Sequence, residues 1–162
     1  MRPCSNRKMR KNTFLAFSRE RLAVSDTPLP TPDFQRMFEA LPNQYIVVDP
    51  QRVVVAATDS FLAATLKERH RIIGRDILDV FPDNPDDPTA NGTTVLRESI
   101  ERVVHTKQLD VLQPQRYDME LADGSFEVRY WQPLNAPVFD AHGNLLYVLH
   151  GAEDVTAAMT ER

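Results

Sequence analysis

The sequence predicts an α+β domain in which several helices interrupt an antiparallel sheet. Two β-branched runs, QYIVVD and RVVVAAT, meet at Pro50–Gln51 and indicate a hairpin. A long amphipathic pattern follows over residues 93–107, and three alternating segments close the chain. The predicted order is therefore two strands, three or four short helices, and three strands.

Residues 1–31 are predicted to form a basic N-terminal arm, partly helical or disordered. They hold seven Lys or Arg against two Asp or Glu, so the arm carries +5 and the remaining chain −9 of the total −4. Three prolines in SDTPLPTPD break any continuing helix and place the domain boundary at residue 32. A solvated arm is favoured over one that binds lipid or a partner.

Four segments have helical patterns. PDFQRMFEALP predicts a short helix whose apolar face is Phe34, Met37, Phe38 and Leu41. SFLAATLKERHRIIG predicts one helix that ends at Gly74, and RDILDVFP predicts a further short helix. The clearest helix covers residues 93–107, with the apolar face Leu96, Ile100, Val103 and Val104.

The three closing strands are predicted from alternation and turns. In LQPQRYDMEL the charged residues alternate with Tyr117 and Met119, which we therefore expect to face inward. A turn at Asp123–Gly124 leads into FEVRYWQPLNAPVFD, and a second turn at residues 142–144 leads into LLYVLHGAEDVT.

The acidic loop VFPDNPDDPTANGT raises the question of a calcium site. A helix-loop-helix calcium loop that began at Asp83 would need ligands or glycine where Pro85, Pro88 and Thr94 stand. Carboxylates also favour the N-terminal end of a helix, and the 93–107 helix follows directly. We therefore expect a structural loop and no metal, although an oxygen-rich metal site is the alternative.

Several function classes lack their sequence signals. Cys4 is the only cysteine, so disulfides within the chain and cysteine-built zinc sites are excluded. No apolar run approaches the length of a membrane span, and the mild charge does not indicate nucleic acid. We expect a cytoplasmic protein without enzymatic activity, since neither a nucleophile elbow nor a phosphate-binding glycine loop occurs.

Three segments together resemble a PAS domain: YIVVDPQRVVVAATDSFL, IIGRDILDVFP and APVFDAHGNLLYVLHGAEDVT. The resemblance covers residues 33 to about 156 and implies a five-stranded antiparallel sheet with helices inserted between strands 2 and 3. Asp154-Val155-Thr156 resembles the Asp-x-Thr that ends many such domains, and residues 157–162 would begin a C-terminal linker. FPDNPDDP and RYW most resemble PAS modules of bacterial sensor histidine kinases and related two-component signalling proteins.

The resemblance implies a sensory module that spans residues 32–156. It would bind a small ligand between sheet and helices and relay the change to an output kinase, another signalling domain or a partner. A ligand-free dimerisation module is the alternative from another class, and a small α+β-cone enzyme is a remote third. The chain is either a fragment or a free-standing module, and a homodimer is expected.

The cofactor implied by the resemblance is unknown, although two kinds can be judged. Flavin photoadduct chemistry is excluded, because Ile77 and Leu78 follow Gly74-Arg75-Asp76 where light-sensing members carry a cysteine. Haem is not favoured, because helical spacing turns His105 away from the apolar face. His150 on the last strand is the histidine that we expect to be buried.

The candidate ligand-binding residues are Tyr117, Met119, Arg129, Trp131, Asn135 and His150. Alternation makes Tyr117 and Met119 inward, and the resemblance places Trp131, Asn135 and His150 inward on the following strands. Arg129 shares that parity, so it would serve an anionic ligand or turn to solvent. A core in which His150 bonds to Asn135 and binds no ligand is the alternative. Val128, Tyr130 and Leu134 would then form an apolar outer face, covered by a second copy or by an N-terminal helix.

Overall fold

The computed structural model describes residues 31–160 as an antiparallel sheet with helices packed on one face. The strands are β1 (Tyr45–Val48), β2 (Val54–Ala57), β3 (Asp110–Val111), β4 (Gln115–Arg116), β5 (Met119–Glu120), β6 (Phe126–Glu127), β7 (Tyr130–Phe139) and β8 (Leu145–Asp154). The helices are α1 (Phe34–Glu39), α2 (Asp59–Thr65), α3 (Arg69–Ile72), α4 (Ile77–Val80), α5 (Gly92–Thr106) and α6 (Thr156–Thr160).

The main sheet has the order β2-β1-β8-β7-β3, with β4 also paired to β7. All its pairings are antiparallel, and four helices are inserted between β2 and β3, so the predicted fold is confirmed. The first strand of the chain thus lies beside the last, and β8 occupies the centre. The basic arm predicted for residues 1–31, including Cys4, and the last two residues of the predicted linker lie outside the described residues, except for residue 31.

The predicted strand over residues 112–121 is interrupted. Pro114 lacks the N–H that a ladder needs, and pairing stops between β3 and β4. It stops again at residues 117–118 and resumes in β5, which pairs with β6 as a separate two-stranded sheet. The single predicted strand is therefore two short strands, of which β4 pairs with β7 and β5 with β6.

The predicted helix over residues 60–74 is two helices. Leu66 adopts the left-handed conformation, with φ of 55°, and ends α2. Arg69 begins α3 and donates from its guanidinium to the Ala57 carbonyl at 3.0 Å, which holds the turn against β2. Gly74 follows α3 at φ of 82°, a conformation that favours glycine.

The short helix predicted at Phe34 is present as α1, but most of its apolar face is exposed. Phe34 and Met37 are 73% and 59% exposed, whereas Glu39 is 6% exposed. Gln35 donates to the Glu39 carboxylate at 3.0 Å, and Arg36 on the same helix pairs with it. In the described part of the chain, the covered side chain of α1 is therefore the hydrogen-bonded Glu39. The spacing of apolar residues cannot reveal such hydrogen bonds.

The core lies between the sheet and the helices. Its fully buried members include Ile46 and Val48 of β1, Ile100 and Val103 of α5, and Val148 of β8. The apolar face predicted for α5 is therefore confirmed. Across residues 31–160, no helix is long and apolar enough to span a membrane.

We predict that removal of residues 1–31 leaves the domain folded. The described core extends from Ile46 to Val148, and Asp33–Arg162 forms one compact unit. The chain that starts at Pro32 should unfold in urea in one transition, within about 1 kcal/mol of the full chain. As a control, Ile100→Ala should lower the unfolding free energy by about 2–5 kcal/mol. Loss of the cooperative transition in the shortened chain would contradict the prediction.

Candidate functional site

A cavity of about 80 Å³ lies between the inner face of the sheet and the helices. Residues from α2, α4, α5 and four strands line it, and most are apolar: Phe61, Ile77, Phe81, Leu96, Leu112, Met119, Trp131 and Pro133. Phe61 and Phe81 pack edge to face, with ring centroids 5.7 Å apart. The cavity is thus a preformed apolar space within the core.

Four of the six predicted site residues line this cavity. They are Tyr117, Met119, Trp131 and His150. Met119, Trp131 and His150 are 3%, 5% and 8% exposed, as inward positions on their strands require.

Arg129 and Asn135 do not line the cavity. Arg129 lies before β7 begins, and its guanidinium pairs with Glu127 and, at 2.9 Å, with Asp154. Asn135 is fully buried and lies behind His150. The two residues therefore do not form walls of the cavity.

Trp131 contributes its ring and not its N–H to the cavity. The indole Nε1 donates to the backbone carbonyl of Tyr117 at 3.1 Å, so its hydrogen-bonding capacity is used within the protein. This bond also holds the backbone at Tyr117 against β7. The indole therefore presents a fixed flat surface to whatever occupies the cavity.

A row of polar side chains crosses the sheet behind the cavity. Asp110 of β3 pairs in register with Asn135 of β7, which pairs in register with His150 of β8. His150 Nδ1 lies 2.9 Å from Asn135 Oδ1, and Asn135 Nδ2 donates to Ser99 Oγ on α5 at 2.7 Å. Ser99 Oγ donates to Asp110 at 2.5 Å, and Arg102 donates to the same carboxylate at 2.8 Å. The row is hydrogen-bonded from His150 to Arg102.

The direction of these bonds follows from the carboxylate at one end. The hydrogen bond from Ser99, aided by Arg102, lowers the pKa of Asp110, so this ionised group only accepts. Ser99 must use its single proton on Asp110 and therefore accepts from the Asn135 amide. Asn135 then presents its oxygen to His150, so Nδ1 of His150 carries the proton.

His150 consequently presents an acceptor to the cavity. Its Nδ1 is occupied by Asn135, which lies outside the lining, so the imidazole edge that meets the cavity carries unprotonated Nε2. Burial lowers the pKa of His150 to about 4, because the charged form loses its hydration. Among residues 31–160, no group is hydrogen-bonded to Nε2.

A second, polar pocket of about 270 Å³ adjoins the cavity. Its carboxylates are engaged: Asp83 accepts from the Thr93 amide of α5 at 3.0 Å, and Asp118 pairs with Arg116 at 2.7 Å. In this way Asp83 occupies the N-terminal end of α5, as the structural interpretation of the loop predicted. The described residues contain no group of three or more His, Cys, Asp or Glu arranged to hold a metal ion.

Tyr117 separates the polar pocket from the cavity. It lines both spaces, as does Gly92 at the start of α5. The Tyr117 ring lies so close to Gly92 that a Cβ there would be 2.3 Å from Tyr117 Cδ2. The Tyr117 hydroxyl donates to the Pro82 carbonyl at 2.7 Å, and burial raises its pKa. The boundary between the two spaces therefore includes one neutral aromatic side chain packed on a glycine, beside Val95 and Gln115, which also line both spaces.

Ser99, Asp110 and Gly92 belong to the site but were not predicted from the sequence. Ser99 is fully buried on the same face of α5 as Ile100 and Val103. For Ser99, the available signal was a small hydroxyl side chain between apolar residues at helical spacing. Asp110 lies in a two-residue strand, and the contact of Gly92 with Tyr117 joins distant segments, so neither had a local signal.

The other three histidines remain outside the site. His70, His105 and His142 are exposed, and the expectation that His150 is the buried histidine is confirmed.

The buried neutral imidazole predicts a pH dependence of stability. The unfolded chain takes up a proton near the ordinary value of 6.5, whereas folded His150 does so only at about 4. Stability should therefore fall as the pH drops from 6.5 to 4, by up to about 3 kcal/mol for this group. Urea unfolding at several pH values should show this slope in the wild type and in His105→Phe. An unchanged slope in His150→Phe would contradict the assignment.

The fold and cavity have counterparts among known proteins. A family model described as PAS fold matches residues 38–159. No curated protein sequence matches the chain.

Solved structures share the fold at low sequence identity. A sensory box sensor histidine kinase from Vibrio cholerae is 17% identical with a TM-score of 0.52, covering 76% of this chain and 89% of that one. The PAS domain of BvgS from Bordetella pertussis is 18% identical with a TM-score of 0.57, covering 79% and 89%. The Vibrio cholerae VqmA dimer, a LuxR-type receptor, is 20% identical with a TM-score of 0.57, covering 82% and 56%. Since the family model covers residues 38–159 of the 162, this chain belongs to the PAS family.

Proposed function

We propose that this PAS domain is a cytoplasmic sensor that binds a small ligand in the cavity and relays the event to an output domain or partner. One observation carries the proposal: the apolar cavity holds a single buried imidazole acceptor, and the strand that bears it continues into α6. Apolar pockets with few, fixed polar groups are the usual form of small-molecule sites.

The end of β8 supports a route for the relay. Asp154 accepts from the Thr156 amide at 3.0 Å and begins α6, while Arg129 holds the same carboxylate. The Thr156 hydroxyl accepts from the Tyr130 amide at 2.9 Å, next to Trp131 in the cavity wall. Any shift of β7 against β8 on binding would therefore reach the start of α6. The output itself, a kinase or another signalling partner, is part of the proposal.

Binding is proposed rather than catalysis. A general base works best when its pKa lies near the working pH. Burial places the pKa of His150 at about 4, so this imidazole is a weak base at neutral pH. The His150 imidazole would instead serve the site as a fixed hydrogen-bond acceptor.

Native mass spectrometry of the full chain, purified without denaturation, tests the ligand. We expect a retained small molecule, released on unfolding, in the wild type. Ala152→Leu adds carbon to the cavity wall and should remove most of the retained mass. Ala63→Leu makes the same addition at an exposed position of α2 and should retain it. If the wild type carries no molecule, and none from a cell extract raises its melting temperature, the domain is better described as a ligand-free dimerisation module.

Dimerisation through the outer sheet face is the second proposal. Trp131 points inward, as the prediction of an apolar outer face required, and Val128 is 47% exposed. Tyr147 of β8 is 38% exposed. Nearby, Gly151 is covered so closely that an added Cβ would lie 3.0 Å from the side chain of Tyr45 and 3.1 Å from that of Leu134. An exposed apolar face of this kind favours a partner, and a second copy of the chain presents the matching face.

Sedimentation of the full chain at several concentrations tests the dimer. The wild type should sediment as a dimer, and Tyr147→Glu should shift it to monomer by burying a charge in the interface. Ile73→Glu is a matched control, because Ile73 is 40% exposed near the helices. A monomeric wild type, or equal effects of both variants, would contradict a dimer through this face.

A further inference from the structure

We propose that the cavity selects an uncharged, single-ring or similarly small molecule that donates a hydrogen bond from a hydroxyl or N–H to Nε2 of His150. This inference rests on the proposed ligand-binding function and adds the chemical class of the ligand. Three features support it: the fixed tautomer of the imidazole, the absence of free charge near the cavity, and its size.

The tautomer fixes the polarity of the contact. To become a donor at Nε2, His150 would have to move its proton from Nδ1. The lone pair of Nδ1 would then face the lone pairs of Asn135 Oδ1 at 2.9 Å. Asn135 cannot turn its amide to help, because its Nδ2 already donates to Ser99. A ligand that buries Nε2 without donating leaves a desolvated acceptor unpaired, which disfavours ligands without a donor.

The charges around the site disfavour ions. No Asp, Glu, Lys or Arg is among the described residues that line the cavity. The arginines next to the lining segments are both paired: Arg129 with Glu127 and Asp154, and Arg116 with Asp118 and Asp87. An anion would therefore lose its hydration without a counter-charge, and so would a cation. An anionic ligand, one of the two possibilities raised for Arg129, meets no cationic side chain among the described residues that line the cavity.

The walls favour one flat ring, and the size excludes anything larger. The cavity of about 80 Å³ is between two and three times the ~30 Å³ of a water molecule and about half of a ~150 Å³ cavity that takes benzene, so a single ring enters only when lining side chains move outward. Trp131 offers a fixed indole surface, since its N–H is bonded to Tyr117. A single ring placed against this surface would direct one substituent toward β8 and His150.

Three matched probes test the class: phenol, toluene and benzoate. Phenol and toluene have nearly the same shape but differ in the hydrogen-bond donor, and benzoate adds a negative charge. Trp131 is the only tryptophan of the chain, so its indole N–H signal reports occupancy in NMR titrations of the full chain. We expect phenol to bind at least about fivefold more tightly than toluene, and benzoate to bind most weakly.

Variants assign the effect to the acceptor. His150→Phe keeps a ring and removes Nε2, so the ratio of phenol to toluene affinity should fall to about one. His150→Gln can donate to Asn135 and present its oxygen to the cavity, so it should restore part of the preference. His105→Phe, on the exposed face of α5, should keep the wild-type ratio.

Several results would overturn this inference. They are equal binding of phenol and toluene, tighter binding of benzoate, a preference that survives in His150→Phe, or no binding of any probe. A proton on Nε2 of the free wild type, read from nitrogen NMR of the imidazole, would also overturn it and does not depend on a variant that folds. A molecule retained in native mass spectrometry would still support the sensor in those cases, so the two proposals fail separately.

Discussion

Asn135 can satisfy its buried amide in only one orientation, and the polar interior depends on this constraint. Its nitrogen donates to Ser99 and its oxygen accepts from His150, while Asp110 and Arg102 close the row. A buried amide with one wrong partner would leave an unpaired polar group, which is costly in a low-dielectric interior. The row therefore joins α5, β3, β7 and β8 more specifically than apolar contacts alone would.

The same row fixes the register of the central strands. Asp110, Asn135 and His150 are direct neighbours across β3, β7 and β8. A slip of β8 by one residue would turn His150 to the opposite face and place Leu149 beside Asn135. The apolar residues around the cavity tolerate changes of shape, but this hydrogen-bonded line accepts one alignment. Stability is thus combined with a defined geometry at the wall that a ligand would touch.

Sequence patterns predicted the parts of the site that lie on regular strands. Period-two alternation placed Tyr117 and Met119 at the cavity, because strand geometry carries that pattern directly, whereas the resemblance to PAS domains placed Trp131 and His150 there. Arg129 was placed there by the same parity and lies outside it, because β7 begins only at Tyr130 and two carboxylates hold the guanidinium.

Features that depend on contacts between distant segments could not be predicted in this way. The buried Glu39 on α1 has partners on two helices, Gln35 on α1 and Arg69 on α3. Ser99 looked like one polar interruption in an apolar helix face, whereas its role depends on Asn135 and Asp110. Short-range patterns report which face of an element is apolar, and only the assembled fold shows which polar groups meet.

The partition formed by Tyr117 and Gly92 bears on rates rather than on affinity. A molecule that passes between Tyr117 and Gly92 from the polar pocket to the cavity must displace the Tyr117 ring and break its bond to the Pro82 carbonyl. Such a barrier slows arrival and departure by the same factor and leaves the equilibrium unchanged. For an occupant that uses this route, the residence time would be set by the motion of one aromatic side chain, so even a weakly bound molecule would remain after the concentration outside had changed.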